Sequence, residues 1–172
     1  MVRVILTAVG PDRPGLVGEL TGHLHAAGAN IIDTRMVNLR GRFAVILLIE
    51  IANQAALSGA VAAAEKMGLA LHVEAPSETG TVAAKPGMPY RLKTYSLDQP
   101  GLVHRVSDVL RAHGVNIEDL SARQESAAFA GDPLFTMEMR LTVPATVSIK
   151  KLRSDLEAVC EKVNADLDLE PA

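Results

Sequence analysis

The five residues Asp12-Arg13-Pro14-Gly15-Leu16 return, nearly unchanged, as Asp98-Gln99-Pro100-Gly101-Leu102. Proline beside glycine is poor material for the interior of a helix or strand, but it suits the junction where a helix begins. The first turn of a helix leaves backbone N–H groups without partners and carries partial positive charge. Such an end attracts a carboxylate or a phosphate. A glycine there has no Cβ, so a ligand can come close to the backbone. The chemistry available to this pentapeptide is therefore anion capture. A plainer reading of the same residues is that Asp caps, Pro starts the helix and Gly packs. A duplicated fold signal would be kept for that reason too.

Other reactive side chains do not assemble into a centre. His23 and His25 resemble a metal pair, but two residues along a helix is about 200° around its axis. His72, His104 and His113 are scattered, and only His104 lies beside a Pro-Gly turn. Cys160 is the one cysteine, which excludes an internal disulfide or a cysteine-based zinc site. It follows Val159 on an apolar stripe and reads as a buried, inert thiol. Ser107-Asp108 and Ser154-Asp155 read as polar helix surface. No nucleophile elbow, phosphate-cradling glycine loop or metal-ligand spacing is present. The expectation is a protein without catalytic residues, metal or cofactor.

The elements that must position the turns also come twice. Gly15 and Gly101 are 86 positions apart (101 − 15), and the same shift takes Leu16-Val17 to Leu102-Val103 and Gly28 to Gly114. It takes Asn30-Ile31 to Asn116-Ile117 and Asp33 to Asp119. One register across so many positions marks a tandem duplication.

In the first copy Val2–Val9 reads as a strand, and Asp12 or Arg13 is expected to cap a helix with Leu16, Val17, Leu20, Leu24 and Ala27 on one face. Gly28 sits where a C′ glycine belongs. Ile31–Leu39 and Phe43–Ile51 read as strands joined at Arg40-Gly41-Arg42. Asn53 can cap a second helix that ends at Gly68, and Leu69–Glu74 closes the copy. The second copy repeats this with Tyr90–Leu97, a helix from Leu102, a strand from Val115, and Leu134–Val143. A helix through Ile149, Leu152, Leu156, Val159 and Val163 follows, then Asp166–Glu170.

Each copy is βαββαβ, so the expected class is α+β: two ferredoxin-like domains in tandem, antiparallel sheets with helices on one face. The expected boundaries are 1–75 and 90–172, with the proline-bearing segment 76–89 as linker.

The copies differ in two informative ways. Gln124–Pro133 replaces the tight Arg40-Gly41 turn and is expected to form a flap. The strand Phe43–Ile51 is apolar on both faces, whereas Phe135, Met137, Met139 and Leu141 alternate with polar residues. Helices cover one face only, so the other face of the first sheet is expected to meet a partner or another copy.

Composition bounds the partners. The net charge is −3, with 17 Lys+Arg against 20 Asp+Glu, and aromatics are 3%. There is neither the basic excess nor the stacking surface of a direct nucleic-acid binder. The most apolar window, Phe43–Ile51, is far below the ~20 residues that span a bilayer. The N-terminal apolar run is broken by Arg3 and reads as a strand, not a signal peptide. A cytoplasmic protein is expected.

Strand, D-x-P-G-L-V, apolar helix, G-x-N-I, paired strands, helix and strand together resemble the ACT domain, a regulatory module that binds small ligands, usually amino acids. The resemblance covers both copies. A tandem pair without an attached catalytic domain is similar to the glycine cleavage system transcriptional repressor group. The resemblance implies a ligand between paired domains, touching the Pro-Gly loop of one and the Asn-Ile segment of its neighbour.

Carried over, Asp12, Pro14, Gly15, Leu16, Val17, Asn30 and Ile31 form the first ligand-binding set. Asp98, Pro100, Gly101, Leu102, Val103, Asn116 and Ile117 form the second. Within one copy the Asn lies at the far end of the helix from the turn, so each turn is half a site. Gly18 aligns with His104 and Arg13 with Gln99, so the two sites need not bind equally. The resemblance further implies a homodimer and action through a DNA-binding partner protein. Two alternatives stay open: a purely structural oligomerisation module, and a detached regulatory subunit of an amino-acid-metabolising enzyme.

Overall fold

The computed structural model describes residues 1–76, 86–97, 100–126 and 133–172. The chain divides into two compact units, Met1–Gly80 and Thr81–Ala172.

Unit 1 runs β1 Val2–Pro11, α1 Leu16–Ala26, β2 Asn30–Leu39 and β3 Arg42–Ile51. A short 3-10 turn over Gln54–Leu57 leads into α2 Ser58–Lys66 and β4 Ala70–Glu74. The strands form one antiparallel sheet in the order β2-β3-β1-β4. Unit 2 runs β5 Gly87–Leu97, α3 Leu102–Ala112, β6 Asn116–Ser126, β7 Pro133–Pro144, α4 Ile149–Glu161 and β8 Asp166–Pro171. Its sheet is antiparallel with order β6-β7-β5-β8. Two βαββαβ units in tandem are the expected class.

Strand alternation builds each core. Val4, Leu6 and Ala8 of β1 and Phe43, Val45, Leu47, Ile49 and Ile51 of β3 point to the helices. Leu16, Leu20 and Leu24 meet them from α1 at helical spacing. In unit 2 the same layer is Tyr90, Leu92, Met137, Met139 and Leu141, against Leu102, Val106 and Leu110 of α3 and Leu152, Leu156 and Cys160 of α4. Cys160 is itself a core residue, and burial pushes its thiol pKa up, away from reactivity.

The open face of the first sheet is apolar as expected. Ile46 is 46% exposed there, and Ala44 and Leu48 are half-buried. The corresponding face of the second sheet is charged: Arg91 approaches Glu138 and Glu170 at 3.5 Å each, and Lys93 approaches Glu138 at 4.0 Å.

Three local expectations need correction. Neither Asp12 nor Arg13 caps α1; the N-cap is Gly15, without a side-chain cap. Asp12 instead accepts a hydrogen bond from the Asn38 amide, while its own N–H donates to the Gly41 carbonyl at 2.9 Å. Its carboxylate therefore ties the turn to the β2–β3 hairpin. Second, β5 begins at Gly87, so Gly87 to Pro89 pair with β7 rather than forming linker. The close pairing requires glycine at the first position: a Cβ on Gly87 would stand 2.5 Å from the Val143 carbonyl oxygen. Third, Gln124, Glu125, Ser126 and Pro133 continue β6 and β7. The rest of the expected flap lies outside the described residues.

Candidate functional site

Arg13-Pro14-Gly15-Leu16 is a type II turn. Pro14 holds its second position, Gly15 its third at φ 85° and ψ −10°, and the Leu16 N–H reaches the Arg13 carbonyl at 3.3 Å. The left-handed third position is why glycine is required. The turn runs directly into α1: the Glu19 N–H donates to the Gly15 carbonyl at 3.0 Å. This leaves the N–H groups of Val17 and Gly18 without acceptors among the described residues, pointing away from the helix start.

Gly101 repeats the conformation at φ 92° and ψ 1°, and the Arg105 N–H donates to its carbonyl at 3.0 Å. Pro100 is exposed beside it; Asp98 and Gln99 lie outside the described residues.

Side chains around the two turns differ in charge. In unit 1 the Arg13 guanidinium makes two hydrogen bonds of 2.6 Å to Glu19. That bond holds the Glu19 carboxyl below the usual carboxylate range and raises Arg13. The Glu19 oxygen stands 3.8 Å from where a Gly15 Cβ would be. The turn thus carries its own carboxylate, already paired. In unit 2 the aligned residue is Arg105, whose Nε stands 3.8 Å from the Gly101 Cβ position. There the turn faces an exposed cation.

The structure places the other expected residues as follows. Leu16 and Leu102 are buried in the two cores, so only their backbone can face a ligand. Val17 is exposed and Val103 half-buried. Asn30 and Asn116 open β2 and β6 at the opposite end of each helix from the turn, about 16 Å away by helix rise over eleven residues. No single unit brings turn and Asn together.

The asparagines differ as well. Asn116 donates to Glu118 at 2.7 Å, which lowers the Glu118 pKa with help from Thr142. At the position of Glu118, unit 1 has Ile32, which cannot accept such a bond. Among the described residues, the halves left uncommitted by their own unit are therefore the Pro100-Gly101 turn with Arg105, and Asn30.

Two arrangements escaped sequence reasoning. His113, at the end of α3, lies 2.8 Å from Asp155 of α4 and is mostly buried. A mixed-charge hollow of about 240 Å³ on the open face of sheet two is lined by Lys93, Tyr95, Ser121, Arg123, Glu125 and Glu138. His23 and His25 share no site, and among the described residues no group of three or more His, Cys, Asp or Glu is placed to hold a metal. Among the same residues no helix is long and apolar enough to cross a membrane.

A family model for the ACT domain matches residues 3–74, the βαββαβ of unit 1, and unit 2 repeats that topology with the same turn. The chain is a tandem ACT-domain protein. It is similar to the glycine cleavage system transcriptional repressor of Escherichia coli (strain K12), with 26% identity over 164 residues, 94% of this chain and 86% of that one. A UPF0237 protein of Methanococcus maripaludis is 36% identical over 75 residues, 43% of this chain and 83% of its own length. Among solved structures, an unknown protein from Galdieria sulphuraria superposes with a TM-score of 0.86 and 28% identity, covering 99% of this ACT-domain chain and 98% of that chain.

Proposed function

We propose that this tandem ACT-domain protein is a non-enzymatic cytoplasmic regulator that senses a small amino acid, glycine being the first candidate, and acts on a partner protein in transcriptional control of amino-acid metabolism. The observation that carries the reading is the doubled left-handed Pro-Gly turn opening a helix, an end whose N–H groups suit a carboxylate. The name of the E. coli relative supports the transcriptional role. The acidic balance of the chain favours a protein partner over direct contact with nucleic acid.

The charge difference ranks the two turns. A carboxylate is attracted by Arg105 beside Gly101, whereas at Gly15 the nearby Arg13 is already taken by Glu19. The second turn is therefore the tighter half-site, completed by an Asn-Ile segment of a neighbouring domain. Ligand shifts an arrangement only through unequal affinity for its two forms.

A thermal-shift screen of the twenty amino acids tests this, because a ligand specific to the native state raises the melting temperature. A rise with one or a few small amino acids is expected. No rise with any of them at millimolar concentration rejects the sensing role.

A further inference from the structure

The open faces of the two sheets share one register, so they can be compared pair by pair. In sheet one Thr7 pairs with Ile46 and Val9 with Ala44, and Arg35 and Val37 meet the same two residues of β3 from β2. In sheet two the same lattice sets Lys93 on Glu138 and Tyr95 on Thr136, with Ser121 and Arg123 meeting them from β6. Val9, Val37 and Ile46 make the first face apolar. Their counterparts are Tyr95, Arg123 and Glu138, and there the face is hollowed to about 240 Å³. Short Ser121 and Thr136 between longer neighbours leave the space. The hollow is thus a property of unit 2, not of the shared fold.

The charges in it come as two pairs on opposite walls. Lys93 Nζ stands 4.0 Å from a Glu138 oxygen, and Arg123 Nε stands 3.9 Å from a Glu125 oxygen. Each wall is neutral by itself, so an anion, a cation or a zwitterion finds no isolated opposite pole. Arg91 braces Glu138 from outside the hollow at 3.5 Å.

Both pairs are too wide for a direct hydrogen bond. A polar contact of that width has room for an oxygen that bridges it. A hydroxyl is the group that does so, since it accepts through its lone pairs and donates through its one proton. It would accept from Lys93 or Arg123 and donate to Glu138 or Glu125. Ser121 and Thr136 add hydroxyls of the same two-way kind. Tyr95, 48% exposed, adds an aromatic ring to cover an apolar C–H face. The volume is below the roughly 300–1,000 Å³ of pockets for drug-sized ligands, which suits a single ring.

We infer that the open face of sheet two carries a site for a small neutral polyol, the size of one sugar ring. One ligand hydroxyl bridges Lys93 and Glu138, another bridges Arg123 and Glu125, and Tyr95 covers the ring. The site does not rest on the amino-acid reading, because α3 and its Pro-Gly turn lie on the opposite face of the same sheet.

Saturation-transfer NMR of the full chain with D-glucose, D-galactose, D-ribose and myo-inositol at millimolar concentration tests it. Transfer to at least one of the four is expected. Arg123→Gln removes one bridge and weakens that ligand about tenfold or more, by titration. Ser121→Arg, which brings in the residue sheet one has there, fills the hollow and abolishes transfer. It also serves if Arg123→Gln fails to fold by circular dichroism. Ile46→Thr on sheet one leaves transfer unchanged. Transfer to none of the four polyols overturns the proposal. So does transfer that survives both Arg123→Gln and Ser121→Arg, or a hollow that takes glycine or glutamate and no polyol. The thermal-shift response to amino acids is read separately, with no polyol present, so either reading can fail alone.

Discussion

Arg13 and Glu19 are held together by two hydrogen bonds of 2.6 Å across the turn that opens α1. The aligned helix of unit 2 carries Arg105 in place of Glu19. One fold thus presents two turns of the same backbone, one beside a neutral ion pair and one beside a cation. Arg105→Glu is expected to remove the larger part of any amino-acid-induced rise in melting temperature. A charge-assisted hydrogen bond contributes about 1.5–3 kcal/mol, so the loss in affinity should be tenfold or more. Glu19→Gln should not reduce the response. Thermal-shift titrations of both variants check this, and an equal loss in both would remove the ranking of the turns.

Thr94 and Ser96 point into the core of unit 2, where their hydroxyls lack hydrogen-bond partners among the described residues. Unit 1 has Ala8 and Gly10 at these positions. Thr94→Val keeps the shape and removes the unpaired hydroxyl, so it should stabilise the protein by about 1 kcal/mol. Thr94→Ala also removes a methyl group and should gain less or lose. Urea midpoints of the two variants, read against the native protein, measure the difference.

The contact between His113 and Asp155 ties the end of α3 to α4. Hydrogen bonding from His113 holds the Asp155 carboxyl below the usual carboxylate range, and Lys151 adds to it. A carboxyl depressed in the folded state stabilises above its unfolded pKa, and that contribution is lost as pH falls through the folded value. Asp155→Asn should therefore be less stable than the native protein at pH 7, with the gap closing below about pH 4. A gap that persists at low pH would mean packing, not charge, holds this contact.

Gly10 and Gly22 should respond oppositely to alanine. A Cβ on Gly10 would stand 2.6 Å from the Gly68 carbonyl oxygen and 2.8 Å from Leu69, both held in place. Gly10→Ala should cost about 1–3 kcal/mol. A Cβ on Gly22 meets nothing, and the position is mid-helix. Gly22→Ala should add about 0.8–1 kcal/mol to the stability of the isolated chain. Chemical denaturation midpoints of the two variants, read against the native protein, check both signs.

What the sequence determined by itself was whatever depends on spacing along the chain. The 86-residue register, the 2.0 and 3.6 periodicities and the C′ glycines fixed two βαββαβ units, because each signal acts within one element or its junction. Gly28 and Gly114 do take the left-handed conformation at the helix ends. Only the tertiary structure decided what crosses between elements. Asp12 was expected to cap α1, yet its carboxylate reaches Asn38, which no local rule anticipates. His113 and Asp155 are 42 residues apart and meet because two helices pack. The Asp-x-Pro-Gly word could be read as an anion-binding turn twice over. That one turn carries a paired carboxylate and the other an exposed guanidinium depends on side chains a full helical turn away, which only the folded helix brings back to the glycine.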